Sequence, residues 1–242
     1  MTRPPLTTAL IDVGGTLWPD GWPWVPEDHQ IRTTRLRQAL PALGPEDAVS
    51  LLRALDSSAR SLADSLEQDL DRYVGEPLRR HGFEATAEQV GAVVDAMCLP
   101  ARSLVKLFPG AAELLRWVRR AGLGCVIVSN TYWRTRTAMW RDFEQLGVAG
   151  EIDAIVSSVD VGFRKPHPAM FETAMAVAGA PPAACAMVGN SEPKDVVPAR
   201  RFGMRSVRVA IEEPKPAASQ ADAVAGSLDE VTRVLRGWAG GL

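Results

Sequence analysis

TALIDVGGT, residues 8–16, is an apolar run that stops on a carboxylate and a double glycine. The run is β-branched in part and closed by Gly14-Gly15, which predicts a buried strand over residues 8–13 that ends in a tight turn, with Asp12 near the strand's carboxyl end. After Phe108-Pro109-Gly110 the pattern alternates. A helix through Leu114, Leu115 and Val118 precedes a strand in GCVIVSN, and a helix from Trp133 to Leu146 precedes a strand in IDAIVSS. A helix from Met170 to Ala178 then leads to a strand in ACAMVG, and a helix near Val196 to Phe202 leads to a strand in RSVRVA. Alternation of this kind implies a parallel sheet with helices on both faces, an α/β fold with a Rossmann-like core, and such sheets bind ligands outside the carboxyl ends of their strands. Glu212 to Ala221 reads as a Pro- and Ala-rich surface loop, and Leu228 to Leu235 as a closing helix.

Between Leu17 and about Pro100 the strand-like runs vanish. Apolar residues there fall at helical spacing in three stripes: Leu52, Leu55, Ala59, Leu62 and Leu66; then Leu70, Tyr73, Val74 and Pro77; then Val90, Val93, Val94 and Met97. The expected organisation is a core of residues 1–17 and 101–242 interrupted by an all-helical cap domain, residues 18–100.

With 242 residues and 46% hydrophobic content the chain can bury a sizeable core. Its 27 Lys and Arg against 29 Asp and Glu give a formal charge of −2. There is no basic run to draw nucleic acid or anionic lipid by counterion release, so neither partner is expected. The N-terminus lacks the apolar stretch of a signal peptide, and no run approaches the roughly 20 apolar residues of a membrane span. Cys98, Cys125 and Cys185 are far apart and in no CxxC pair, which suggests neither a disulfide framework nor a thiolate zinc site. The expectation is a soluble cytoplasmic protein, monomer or homodimer.

Four polar clusters sit where the apolar strands stop: Asp12-Val13-Gly14-Gly15-Thr16, Ser129-Asn130-Thr131, Arg164-Lys165-Pro166, and Gly189-Asn190-Ser191 followed by Asp195. On a parallel sheet they converge on one crevice. A nucleophilic carboxylate, a hydroxyl, an ammonium and a second carboxylate around a shared space suit an anionic phosphoryl group with Mg²⁺, which prefers hard oxygen ligands and usually keeps one or two carboxylates.

In these motifs, their order and their placement at strand ends, with VGFRKPHPAMF around the third, the chain resembles the haloacid dehalogenase superfamily of aspartate-nucleophile hydrolases. The resemblance covers nearly the whole chain and implies a Mg²⁺-dependent hydrolase acting on a small phosphorylated metabolite. By that resemblance Asp12 attacks phosphorus to form an aspartyl-phosphate, while Asp12, the Gly14 carbonyl, Asp195 and Asn190 hold the metal. Ser129 and Lys165 grip the phosphoryl oxygens, and Thr16 and Asn130, also counted as substrate-binding, support the metal shell by hydrogen bonds.

The sequence departs from that pattern in two places. The superfamily's phosphatases usually carry a second Asp two positions after the nucleophile, as acid and base, and here that position is Gly14. Asp20, Glu27, Asp28 and His29 are the candidates to replace it; a leaving group that needs no proton, or a catalytically weak or purely binding protein, are the other solutions. Asn190 stands where an Asp is frequent, which lowers the negative charge offered to the metal and gives Glu192 a possible compensating part. A Schiff-base route is excluded because residues 17–105 contain no lysine. A 2-haloacid dehalogenase would place an aromatic at position 14, although Arg32, Arg35 or Arg37 would supply its arginine. Those same arginines also suit a solvated helix face. Trp18, Trp22 and Trp24, interleaved with prolines, suit either stacking on a substrate or packing of a stiff hinge. His167 reads as a loop histidine bonded to backbone.

Overall fold

The structure, a computed structural model, describes residues 3–20, 26–99 and 106–240. Among these residues six strands pair in parallel into one sheet: β1 (Thr8–Ile11), β2 (Gly124–Ser129), β3 (Ala154–Ser157), β4 (Cys185–Gly189), β5 (Arg205–Val209) and β6 (Ala223–Ala225), in spatial order β3-β2-β1-β4-β5-β6. The chain builds outward from β1 in one direction, then returns to its other side with β4. The sheet therefore has its switch point at β1, and a crevice opens there at the carboxyl ends. Register places Ile11 level with Ile127 and Val188, so the next residues, Asp12, Val128 and Gly189, share one rim.

Parallel strands buried on both faces favour the near-continuous apolar runs seen here. On one face Ala9, Ile11, Cys125, Ile127 and Val188 pack against α5 (Ala111–Arg120), α6 (Arg136–Gln145) and α10 (Leu228–Trp238). On the other, Leu10, Val126, Val128 and Met187 pack against α8 (Pro168–Ala178) and α9 (Val197–Arg201). A single turn, α7 (Ser158–Val161), follows β3.

Between β1 and β2 the described elements are helical: α1 (Pro26–Ala39), α2 (Pro45–Arg60), α3 (Glu76–Arg80) and α4 (Ala87–Met97). In α4 the start is fixed by a capping box, in which the Thr86 hydroxyl accepts from the Gln89 N–H and the Gln89 side chain accepts from the Thr86 N–H. Leu36, Leu51, Leu52, Leu55, Tyr73, Val74, Leu78, Val93 and Met97 form a separate core, which Trp133, Ala138 and Val159 join from beyond β2 and β3. One strip of this insertion is stitched to the sheet's rim. Glu67 bridges Phe163 antiparallel, the Gln68 N–H donates to the Gly162 carbonyl at 2.8 Å, and the Arg164 N–H to the Leu66 carbonyl at 2.8 Å.

The departures from the expected elements are local. α6 begins at Arg136, not Trp133, because the Thr135 hydroxyl caps it by accepting from the Ala138 N–H. Leu66 leaves its stripe and is 46% exposed: α2 ends at Arg60 and continues as a tighter 3-10 turn over Ser61–Asp64, which destroys the 3.6-residue phase. The helix expected near Val196 starts with a wide turn over Glu192–Val196. β6, only three residues, lies just after the segment read as loop.

Candidate active site

Lys165 is the hub. Its ammonium donates to Asp12 Oδ1 at 2.6 Å, to Asp195 Oδ1 at 2.7 Å and to the Val128 carbonyl at 2.9 Å, and the side chain is only 2% exposed. Three elements thus meet through one nitrogen: the end of β1, the end of β2 and the turn after β4. The backbone of Lys165 is held from both sides by Asn130, whose Oδ1 accepts from the Lys165 N–H at 2.7 Å and whose Nδ2 donates to the Lys165 carbonyl at 2.9 Å. Asp12 Oδ2 accepts from the Thr16 hydroxyl at 3.1 Å, and Asp195 Oδ2 from the Ser191 N–H at 3.0 Å. A Cβ on Gly189 would overlap the Asp195 carboxylate, so glycine is required for that close approach.

Electrostatics follow from counting charges. One ammonium faces two buried carboxylates, so one negative charge is left over. Burial drags the Lys165 ammonium down, but Asp12 and Asp195 together outweigh it and raise its proton affinity above the ordinary lysine range. Burial pushes Asp195 up to about 6, with Lys165 opposing and the negative charge of Asp12 adding to the rise. Lys165 is therefore firmly cationic, and the surplus negative charge is a standing attraction for a cation.

Above this cluster lies a polar cavity of about 630 Å³, whose lining includes Asp12, Gly14, Ser129, Asn130, Lys165, Asn190 and Asp195. A second cavity of about 340 Å³ adjoins it, lined in part by Trp18, Arg32, Leu99, Trp133, Arg134 and Met139. Gly14, Asp20, Ser129, Asn130 and Tyr132 line both, and so mark the boundary between them.

Asp12, Ser129, Lys165 and Asp195 share this crevice, but only Asp12 and Ser129 stand where a strand stops: Lys165 comes beyond α7 and Asp195 within the turn Glu192–Val196. Thr16 requires correction as a substrate contact: it is fully buried, does not line the cavity, and orients Asp12 instead. Asn190 lies against the turn after β1, its Nδ2 in the space that a Cβ on Gly15 would take; Gly15 has φ +70°, so this position favours glycine on both counts. Glu192 lines the cavity but is engaged elsewhere, accepting from Ser219 Oγ at 2.7 Å, the Gln220 N–H at 2.7 Å and Arg208 at 3.2 Å. Arg32 is not a solvated charge. It is buried and pairs with Asp56 at 3.5 Å. Arg35 donates to the Cys98 and Asp95 carbonyls, and Arg37 is exposed. Trp18 packs on Phe143 at 5.4 Å, whereas Trp22 and Trp24 lie outside the described residues. His167 Nδ1 accepts from the Ala169 N–H at the start of α8, with the ring stacked on Phe163.

Tyr132 and Arg208 line the crevice without having been expected there. Arg208 had a weak signal, a charge between the two valines of β5 (Val207 and Val209); Tyr132 had none. Arg164 places its guanidinium 4.8 Å from the centre of the Tyr132 ring. Among the described residues no three His, Cys, Asp or Glu side chains form a metal cluster, and no helix is long and apolar enough to cross a membrane.

Comparison with known proteins agrees with this architecture. Phosphoserine phosphatase of Thermus thermophilus is 29% identical over 163 residues, 64% of each chain. Glyceraldehyde 3-phosphate phosphatase of Methanopyrus kandleri is 26% identical over 207 residues, 84% of each. The bovine (Bos taurus) haloacid dehalogenase-like hydrolase domain-containing protein 3 is 34% identical over 109 residues, 45% of this chain and 42% of that protein. The chain thus spans about two fifths of the length of the bovine protein and just under two thirds of the Thermus enzyme's. Among solved structures, a 2-haloacid dehalogenase from Pseudomonas syringae superposes with TM-score 0.62 at 20% identity, over 97% of this chain and 100% of that one. A HAD phosphatase from Thermococcus onnurineus superposes with TM-score 0.59 at 20% identity, over 98% and 99%. The family model for haloacid dehalogenase-like hydrolases matches residues 6–203, and with the six-stranded parallel sheet this shows that the chain belongs to that family of hydrolases.

Proposed function

We propose that the protein is a phosphatase that removes the phosphoryl group from a small phosphorylated metabolite by way of an aspartyl-phosphate on Asp12. The observation that carries this reading is the Lys165 ammonium bridging Asp12 and Asp195 on the floor of the polar cavity. The hydrolase family and its phosphatase relatives support it.

The donor set fits Mg²⁺: two buried carboxylates with a surplus negative charge, beside the cavity-lining backbone of Gly14, offer hard oxygens and leave room for waters and a phosphoryl oxygen. Asp12, Asp195 and the Gly14 carbonyl would hold the ion, with Asn190 at its edge. When bound, Mg²⁺ supplies charge neutralisation for the phosphoryl oxygens. Lys165 offsets the negative charge of the nucleophile, so that an anionic substrate can approach a carboxylate. Thr16 fixes the rotamer of Asp12, Asn130 fixes Lys165, and Ser129 at the cavity boundary grips a phosphoryl oxygen. Residues 18–100 act as a cap over the crevice, excluding water and shaping the second cavity for the rest of the substrate.

The test is phosphate release from a panel of phosphorylated metabolites with Mg²⁺ or with a chelator, for wild type and Asp12→Asn. Release that requires both the metal and Asp12 is expected; equal release by Asp12→Asn would overturn the reading.

A further inference from the structure

Transfer of a phosphoryl group from an aliphatic ester needs a proton for the departing oxygen and, in the second step, a base for the attacking water. The carboxylates lining the crevice are Asp12, Asp20, Glu192, Asp195, Glu212 and Glu213. Asp12 and Asp195 are bound to Lys165. Glu192 is saturated by Ser219, Gln220 and Arg208, and Glu213 pairs with Arg208 Nη2 at 2.9 Å. Glu212 accepts from the Asp20 N–H at 3.1 Å, which tethers Asp20 to the loop after β5. Glu27, Asp28 and His29, in the first turn of α1, line neither cavity.

Asp20 remains, and its place is specific. The chain folds back after Asp12, with the Gly15 N–H donating to the Trp18 carbonyl at 2.7 Å and the Leu17 N–H to the Val13 carbonyl at 2.8 Å, and this brings Asp20 over Gly14. A Cβ built on Gly14 would stand 2.9 Å from Asp20 Oδ1. The Asp20 carboxylate thus occupies the space that a side chain on Gly14 would fill, two residues from the nucleophile. It also lines both cavities, between the polar chamber of the phosphoryl group and the chamber for the remainder of the substrate.

We propose that Asp20 is the proton-transfer residue of this site, supplied from beyond the catalytic turn across the gap left by Gly14. This rests on the phosphatase reading and deepens it. In the first step Asp12 forms a bond to phosphorus, the bond from phosphorus to the ester oxygen breaks with its electron pair going to that oxygen, and the Asp20 proton moves to the same oxygen. In the second step Asp20, now a carboxylate, takes a proton from water as the water oxygen bonds to phosphorus, and the pair of the breaking bond returns to Asp12.

The experiment compares wild type, Asp12→Asn, Asp20→Asn, Asp20→Ala and the swap Gly14→Asp/Asp20→Ala, on an alkyl phosphate and on p-nitrophenyl phosphate, whose leaving group needs no proton. Gly14 is not in the left-handed region and its contact is with the tip of Asp20, so the swap fits the turn. Asp20→Asn is expected to slow alkyl phosphate turnover by about 10²- to 10⁴-fold. Its first-turnover burst of p-nitrophenolate should fall by at least about tenfold less, and the swap should recover at least about tenfold over Asp20→Ala. The inference is overturned, with the phosphatase reading intact, if wild type is active and Asp12→Asn inactive while Asp20→Asn stays within about threefold of wild type on the alkyl ester. Equal losses on both esters with no recovery in the swap would also overturn it. If Asp12→Asn is as active as wild type, or wild type hydrolyses neither ester, the phosphatase reading fails and takes the inference with it.

Discussion

The rim of the sheet and the helical insertion are held together by opposite means. At the rim, Lys165, Asp12 and Asp195 are buried charges that have surrendered hydration for one another, an arrangement that contributes little net stability and is costly to break. In the insertion, α2 and α4 bury Leu51, Leu55, Val93 and Met97 in an apolar core, while the buried Arg32 of α1 pairs with Asp56 of α2. The difference teaches where the molecule places function: stability comes from apolar surface that any well-shaped side chain could supply, and chemistry from a few polar groups that only the sheet's register can align.

Lys165→Met separates the two most sharply. Two carboxylates would be left buried without a cation, so a loss of about 3–5 kcal/mol is expected by urea unfolding, together with loss of phosphatase turnover. Asp195→Asn, which leaves one carboxylate on one ammonium, should cost less than half as much. A smaller loss for Lys165→Met than for Asp195→Asn would break the account of the rim. In the insertion, Leu55→Ala should cost about 2–5 kcal/mol of stability while turnover per folded molecule is retained, as measured by active-site titration alongside unfolding.

Mg²⁺ should bind at the rim and not in the insertion. At about a hundredfold excess over its Kd it should stabilise wild type by about 2.7 kcal/mol, and it should do nothing for an Asp12→Asn/Asp195→Asn double variant. Equal shifts in both, by calorimetry, would place the ion elsewhere. The smallest effect belongs to the seam between the regions. Tyr73 donates its hydroxyl to the Tyr132 carbonyl at 3.0 Å, and Gln68 Nε2 donates to the Thr131 carbonyl at 2.8 Å. Tyr73→Phe should cost about 0.5–1.5 kcal/mol and raise KM more than it lowers kcat, because Tyr132 lines both cavities. An unchanged KM would detach this seam from substrate binding.

The sheet was largely legible because parallel strands buried on both faces must be apolar runs, and a polar residue ending such a run marks the rim. That rule pointed to the clusters holding Asp12, Ser129, Lys165 and Asp195, and the family resemblance gave them their roles; Asp12 and Ser129 stand at strand ends, whereas Lys165 lies beyond α7 and Asp195 in the turn after β4. What the rule could not show is distance across a turn. Asp20 stood as one of four candidates in the sequence, and only the fold-back through Trp18 brings it over Gly14. Thr16 points the same way: the resemblance put it among the substrate-binding residues, and the structure buries it with its hydroxyl on Asp12. Arg32 looked like one of several charges on a helix face, since its partner Asp56 lies on the next helix and no local pattern links them. β6 was too short, at three residues, for any periodicity to announce it.

In the proposed mechanism Asp12 carries the phosphoryl group during turnover. Rapid acid quenching after mixing with a radiolabelled phosphate ester tests it most directly, followed by peptide mapping. An acid-stable, hydroxylamine-labile label on the peptide containing Asp12, absent from Asp12→Asn, is expected. Steady turnover with no label on that peptide, retained in Asp12→Asn, would contradict it.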